Sequence, residues 1–337
     1  MPRALLMLAL LCLPTLSLAA PGPTETDPAK TGDDYKIQGE YLVKSEKRKP
    51  AGVQIIALGK DEYEVIVYDD GLPGAGWKRG DRKTSVKGKL ANGKLGTKIN
   101  LDKIDWEITF ASASVKFTAD GGKVIECEKT ERKSPTLGAK PPEGAVVLFN
   151  GKDKENFKGG SLQKESSASD EQVLQTNPGG NLLSKQEFTD FTLHVEFKTP
   201  YMPEARGQGR GNSGVYIQNR YELQILDSFG LEGENNECGG FYQVSKPAVN
   251  MCLPPLAWQT YDIDFTAAKF DNKGERTSPA KVTVEHNGVV IQENVEFLKG
   301  STAGGQKEKA GAGPLQIQDH GNPVQLRNIW VVEKTKS

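Results

Sequence analysis

Two carboxylates and an amide fall within the short run Tyr221-Glu222-Leu223-Gln224-Ile225-Leu226-Asp227. Successive side chains of a strand point to opposite faces, so Tyr221, Leu223 and Ile225 can enter a core while Glu222 and Gln224 emerge together on the other side. The run Gly214 to Arg220 repeats the arrangement, burying Val215 and Ile217 and presenting Tyr216, Gln218 and Arg220. Near the end of the chain Leu315 and Ile317 point one way, and Gln316, Gln318 and His320 the other. A sheet face that carries amides, a carboxylate, an aromatic ring and an imidazole is equipped to bind the hydroxyl array of a sugar. The plainer alternative is a solvated face, but such faces are usually built from Lys, Glu and Thr.

Several further residues could serve that face. Tyr242 follows Cys238-Gly239-Gly240-Phe241 and could stack on a sugar ring or fill a core. Cys238 and Cys252 bracket this glycine-rich segment and are expected to form a disulfide, whose loop of about 15 residues would contribute about 3 kcal/mol; two buried thiols are the alternative. Arg206 and Arg210 lie in a glycine-rich loop leading into Asn212, suited either to an anionic or hydroxyl-rich ligand or to plain solvation. Asn212 could bind substrate or serve the turn, and Trp258 reads as core. His194 and His286 sit in alternating strands and read as structural. Of the four cysteines Cys12 falls in the N-terminal apolar stretch, and Cys127, Cys238 and Cys252, without CxxC spacing, give no zinc signal.

The elements that must position these residues are strands. A length of 337 residues suggests two domains plus tails. Residues 1–19 read as a cleaved signal peptide, with Arg3, an apolar stretch to Leu13 and Ser17-Leu18-Ala19, which implies a secreted, periplasmic or cell-envelope protein. No later stretch is apolar for long enough to span a membrane as a helix. A net charge of -1 provides no field for holding a nucleic-acid backbone. After a polar leader over 20–34, short runs of β-branched and aromatic residues separated by turn formers mark 35–132 as a small β domain. Within it, Gly71 to Trp77 reads as a shaped loop whose Trp is a ligand platform or a core cap. Proline and lysine over 133–144 indicate a linker. Residues 145–335 read as a β-sandwich or jelly roll, with Asn287-Gly288 as a hairpin turn and Lys299 to Gly313 as a flexible loop. The fold class is all-β.

The second domain resembles the 3-keto-disaccharide hydrolase domain family. The resemblance rests on Leu148-Phe149-Asn150-Gly151-Lys152, Asn212-Ser213-Gly214-Val215, the Tyr221 to Asp227 run, Trp258, Asn287-Gly288, His320-Gly321 and Arg327-Asn328-Ile329, in that order. It implies a concanavalin A-like jelly roll with its site on the concave face, from bacteria that handle carbohydrates. The Glu222 to Asp227 run also resembles the Glu-x-Asp-x-x-Glu strand of jelly-roll glucanases, but Gln224 replaces the central acid. A flat strand would place Glu222 and Asp227 on opposite faces about 16 Å apart, whereas retaining carboxyl groups stand about 5 to 5.5 Å apart.

The chemistry that the resemblance implies is different. A carbonyl at C3 of the sugar acidifies the C2 proton, so the glycosidic oxygen can leave by elimination and water can add afterwards. That path needs one base and one group to hold the enolate. Glu222 and His320 are the candidate bases, with Asp227 as a further catalytic candidate. Gln224, Arg327 or a bound divalent cation could hold the oxyanion. Glu222, Asp227 and His320 offer an oxygen and nitrogen ligand set for such a cation, while His320 could equally be a turn residue. Asn212, Tyr216, Gln318, Tyr242, Gln224 and Arg327 make up the expected substrate-binding set. A lectin-like module that binds glycan without chemistry is the alternative function. The sugar, the linkage, the oligomeric state and the role of 35–132 are not readable.

Overall fold

The computed structural model describes residues 22–43, 51–111, 113–302 and 304–334, so the signal sequence expected over 1–19 lies outside the described residues. Among the described residues no helix is long and apolar enough to cross a membrane. Strands from Gly39–Val43 to Val124–Thr130 form one antiparallel sheet of nine. It closes on itself because Ser114–Ala119 pairs with both Val124–Thr130 and Ile104–Phe110. Closure removes the exposed edges that would otherwise invite pairing with other chains. Val53, Ile55, Ala57, Val65, Val67, Trp106, Ile108 and Phe117 fill the barrel. Cys127 lies among them as a free thiol, pushed up by burial to about 12. Asn92 and Gly93 take left-handed φ values of 51° and 74°, as a tight hairpin turn requires.

Strands from Val146–Phe149 to Gln325–Glu333 form two further antiparallel sheets, of eight and five strands, packed as a jelly-roll-type sandwich. Leu193, Val195, Phe197 and Ile263 of the larger sheet share one core with Val215, Ile217, Leu223, Ile225, Leu315 and Ile317 of the smaller. Residues 133–144 form neither strand nor helix but are strapped to the larger sheet. Thr136 Oγ1 donates to Asp262 (2.6 Å), Gly138 N to Glu196 (2.6 Å), and Asn328 Nδ2 to the Ala139 carbonyl (2.9 Å).

Barrel and sandwich are joined by a hairpin buried on both faces. In Gly52–Gly59 and Glu62–Tyr68 the side chains of Val53, Ile55, Ala57, Val65 and Val67 enter the barrel. Ile56, Ile66 and Tyr68, from the alternate positions, join the core of the sandwich. Trp77 of the Gly71 to Trp77 loop packs edge-on against Tyr68, with ring centroids 5.2 Å apart, and is 5% exposed, so it belongs to this junction and offers no open platform. The fit is close: a Cβ at Gly230, whose φ is +82°, would stand 2.6 Å from Ile56. Polar contacts frame it. Arg79 donates to the Gly233 (2.7 Å) and Pro247 (2.9 Å) carbonyls, and Arg206 to the Leu58 carbonyl (2.7 Å). The leader is tied down too, through reciprocal backbone bonds between Glu25 and Tyr201.

Each such side chain contributes about 1.5–3 kcal/mol by leaving water. Ile66→Ala is therefore expected to cost about 2–5 kcal/mol in denaturant unfolding, with barrel and sandwich still melting together. Two separate transitions in the wild-type chain would show that the junction does not couple them.

Candidate functional site

The site grows from the hairpin Ser213–Ile217 and Tyr221–Ile225. Its register sets Tyr216 opposite Glu222 and Gly214 opposite Gln224. The turn takes left-handed conformations at Gln218 and Asn219 (φ 53° and 55°). Gln218 and Arg220, expected beside Tyr216, therefore belong to the turn and do structural work. Gln218 donates to the Phe188 carbonyl (2.8 Å), and Arg220 donates to Gln218 Oε1 (2.8 Å) and to the Lys309 (3.0 Å) and Ala312 (3.2 Å) carbonyls. Buried Arg220 thus pins the segment expected to be a flexible loop, and that segment supplies Gly304 to the site.

On the face away from the core, Gln208, Asn212, Tyr216, Glu222, Gln224, Tyr242, Gly304, Gln318 and His320 enclose a cavity of about 330 Å³. That is room for a single small ligand. Alternation along the two hairpin strands brings Tyr216, Glu222 and Gln224 together as read from the sequence, and Gln318, one residue past the strand Gly313–Ile317, joins them through its N–H to the Gly214 carbonyl (2.9 Å). Tyr242 arrives because its segment pairs along the outer hairpin strand: Gln224 N donates to the Gly240 carbonyl (2.9 Å) and Gly239 N to that of Gln224 (3.0 Å).

Glu222 is 6% exposed. Burial pushes its carboxyl up to about 7, against a smaller opposing effect of the neighbouring Tyr216 hydroxyl. The carboxyl lies over bare backbone, since a Cβ at Gly214 would stand 2.7 Å from Glu222 Oε1. Burial likewise holds Tyr216 protonated well beyond the ordinary phenol range. Gln224 spends its amide nitrogen on Asn212 Oδ1 (2.8 Å) and the Ser213 (2.7 Å) and Ile225 (3.0 Å) carbonyls, so, contrary to expectation, it has no N–H to hold an oxyanion and offers a ligand its amide oxygen. Gln318 donates to Tyr216 Oη (3.3 Å), while its own Oε1 is buried without a hydrogen-bond partner in the protein. Leaving such an acceptor unpaired costs about 1–3 kcal/mol.

Three expectations need correction. Asp227 does not face the cavity. It follows the strand that ends at Ile225, and its Oδ2 accepts Arg210 Nε at 2.6 Å in a buried ion pair. The pair orients the turn into Asn212, whose Nδ2 in turn donates to the Gln208 carbonyl (2.7 Å). Arg327 is on the other sheet, where it binds Glu196 (2.7 Å) and stacks 4.2 Å over the half-buried Trp258 ring. It cannot hold an oxyanion beside Glu222. Glu222, Asp227 and His320 do not converge as a metal-ligand set, and among the described residues no three His, Cys, Asp or Glu side chains do. His320 and Glu222 border the cavity without Asp227, His320 from its exposed rim.

Cys238 and Cys252 are likewise free thiols, not the expected disulfide. They interact with each other inside the core, where Cys238 Sγ also contacts Tyr261 Oη (3.1 Å) and Cys252 Sγ reaches the Leu253 carbonyl (3.4 Å). His194 and His286 are both inaccessible to solvent, His194 on Asp262 (2.6 Å) and His286 on Gln259 (3.0 Å). Gln208 and Gly304 were not foreseen. Gln208 sits in the single 3-10 turn Gly207–Gly209, where its Nε2 donates to the Asn236 carbonyl (2.7 Å), and Gly304 in the segment pinned by Arg220; no local pattern marks them.

Asp227→Asn should leave Arg210 buried without a counter-charge and lower stability by about 3–5 kcal/mol, with activity falling through a displaced Asn212. Complete loss of turnover at unchanged stability would instead make Asp227 a participant in the chemistry.

No curated protein sequence matches the chain. A solved structure from Parabacteroides distasonis, provisionally described as a glycosyl hydrolase, is 34% identical with a TM-score of 0.51, over 57% of this chain and 85% of that one. A second structure from that organism, described in the same way, is 18% identical with a TM-score of 0.41, over 57% and 95% of the two chains. The sequence profile of the 3-keto-alpha-glucoside-1,2-lyase-like domain matches residues 144–332, and the chain belongs to that family.

Proposed function

We propose that the chain is a secreted or periplasmic enzyme that cleaves 3-keto-glycosides, with Glu222 as its acid–base group. The observation that carries this reading is a buried carboxyl raised to about 7 among side chains suited to sugar hydroxyls. A base works best when its pKa lies near the working pH. The carboxylate of Glu222 removes the C2 proton made acidic by the C3 carbonyl. The electron pair forms the C1–C2 double bond as the C1–O bond breaks. The departing oxygen takes up a proton, from the now neutral Glu222 or from water, and leaves as an alcohol. Addition of water across the double bond then gives the free 3-keto sugar. The Gln224 amide oxygen would accept a sugar hydroxyl, the protonated Tyr216 hydroxyl beside Glu222 would hold the enolate, and Tyr242 would pack on the ring. His320 stands at the exposed rim of the cavity.

The base must be ionised, so the rate of 3-ketoglucose release from 3-keto-trehalose should rise as pH increases through about 7 and then level. Glu222→Gln should lower that release by about 10²-fold or more. The same variant should be the more stable protein at pH 8. A carboxyl whose folded pKa is raised stabilises the fold below its unfolded value near 4.5 and loses that contribution as pH climbs through about 7. Glu222→Gln has no charge to bury at pH 8 and should gain on the order of 1 kcal/mol or more. Normal turnover in this variant would reject the assignment, and glycan binding without any release would favour a lectin-like role.

A further inference from the structure

The Tyr242 ring that walls the sugar-sized cavity also walls a second one, of about 300 Å³, lined by Val244, Phe297, Leu298, Ser301 and Thr302 among others. The two lie side by side: Thr302 Oγ1, in the lining of the second, accepts the backbone N–H of Glu222, in the lining of the first, at 2.7 Å. Their chemistry differs. The first is lined by amides, a carboxyl and an imidazole. The second presents Val244 at 41% exposure and Leu298 at 67%, the most exposed large hydrophobic side chain among the described residues.

Single exposed apolar residues are ordinary on protein surfaces. These two come from segments distant in sequence and are both held in place. Val244 N donates to the Phe241 carbonyl (2.8 Å), and neighbouring Ser245 Oγ donates to Gln292 Oε1 (2.9 Å). Arg276 donates to the Phe297 carbonyl (2.9 Å) and to that of Leu298. Beneath them Phe297 is wholly buried, its ring tilted at 31° to that of Tyr221 with centroids 4.4 Å apart and set edge-on to Phe241 at 5.0 Å, which makes a packed apolar floor. The lining also includes Gln243, Glu296, Lys299 and Ser301, of which Glu296 is paired with Lys281 (3.1 Å). The Thr302 hydroxyl is already spent, since it accepts from Glu222 N and donates to the Arg220 carbonyl (3.2 Å).

We propose that this second cavity receives the leaving group, and that the leaving group is an apolar alcohol, an aryl or alkyl aglycone, in place of a second sugar. The inference rests on the reading of the first cavity as the sugar site. A glycosidic oxygen beside Glu222 would direct its substituent past Tyr242 onto Val244 and Leu298, whose side chains lose water only when such a group covers them. Specificity then divides between the cavities, hydroxyls read by the amides and the aglycone by apolar area.

The test uses the full chain carrying Glu222→Gln, so that ligands are held without turnover, titrated by calorimetry with the methyl and benzyl glycosides of 3-ketoglucose and with 3-keto-trehalose. Benzyl should bind about 10-fold or more tightly than methyl, and 3-keto-trehalose no better than methyl. Adding Val244→Ser and Leu298→Ser should abolish the benzyl preference and leave methyl affinity unchanged. Equal affinity for methyl and benzyl, a preference that survives both serines, or tightest binding of 3-keto-trehalose would each overturn the proposal while leaving the sugar site in place. Failure of all three compounds to bind would overturn it together with the reading on which it rests.

Discussion

The site depends on keeping one carboxyl group out of water with no cation beside it among the described residues. Burial of an unpaired carboxylate is costly enough that the group takes up a proton instead, which is why Glu222 rises to about 7. A salt bridge would have removed this property by holding the acid ionised. Asp227 shows the contrast a few residues away: it is also buried, but paired with Arg210 at 2.6 Å, and serves to hold the backbone. Two acids in one short run are therefore given different tasks by their surroundings alone.

Keeping Glu222 dry requires walls on several sides, and each wall is fixed by contacts remote from the carboxyl. Arg220 pins the segment that carries Gly304, while Gly239 and Gly240 pair along the hairpin and bring Tyr242 over its face. The sandwich is in turn braced by the barrel. The segment that carries Phe229 and Gly230, just beyond Asp227, packs against Ile56 and Ile66 of the doubly buried hairpin. The barrel thus stabilises the scaffold behind the site while contributing none of the residues that line it.

Much of this site was legible because period-2 alternation is a local property. Leu223 and Ile225 facing the core oblige Glu222 and Gln224 to face away, whatever surrounds them. The errors arose where the answer depends on long-range facts. Asp227 lies past the strand end, so alternation no longer governs it. Arg327 has a similar alternating setting but belongs to the other sheet, and strand pattern carries no sheet identity. The spacing of Cys238 and Cys252 foretold their proximity but not a bond. The Ile55-Ile56 pair in the first domain breaks strict alternation, which signals a strand buried on both faces, yet nothing in the sequence names what covers the second face.

The central claim is that Glu222 titrates near neutrality because it is buried and has no cation beside it among the described residues. The side-chain carboxyl carbon of Glu222, followed by carbon-13 NMR across pH 3 to 9 and identified by its absence in Glu222→Gln, reports this directly. A midpoint near 7 is the expected result. A midpoint at or below the ordinary value of about 4.3 would mean that water or a cation reaches the carboxyl, and would contradict the account.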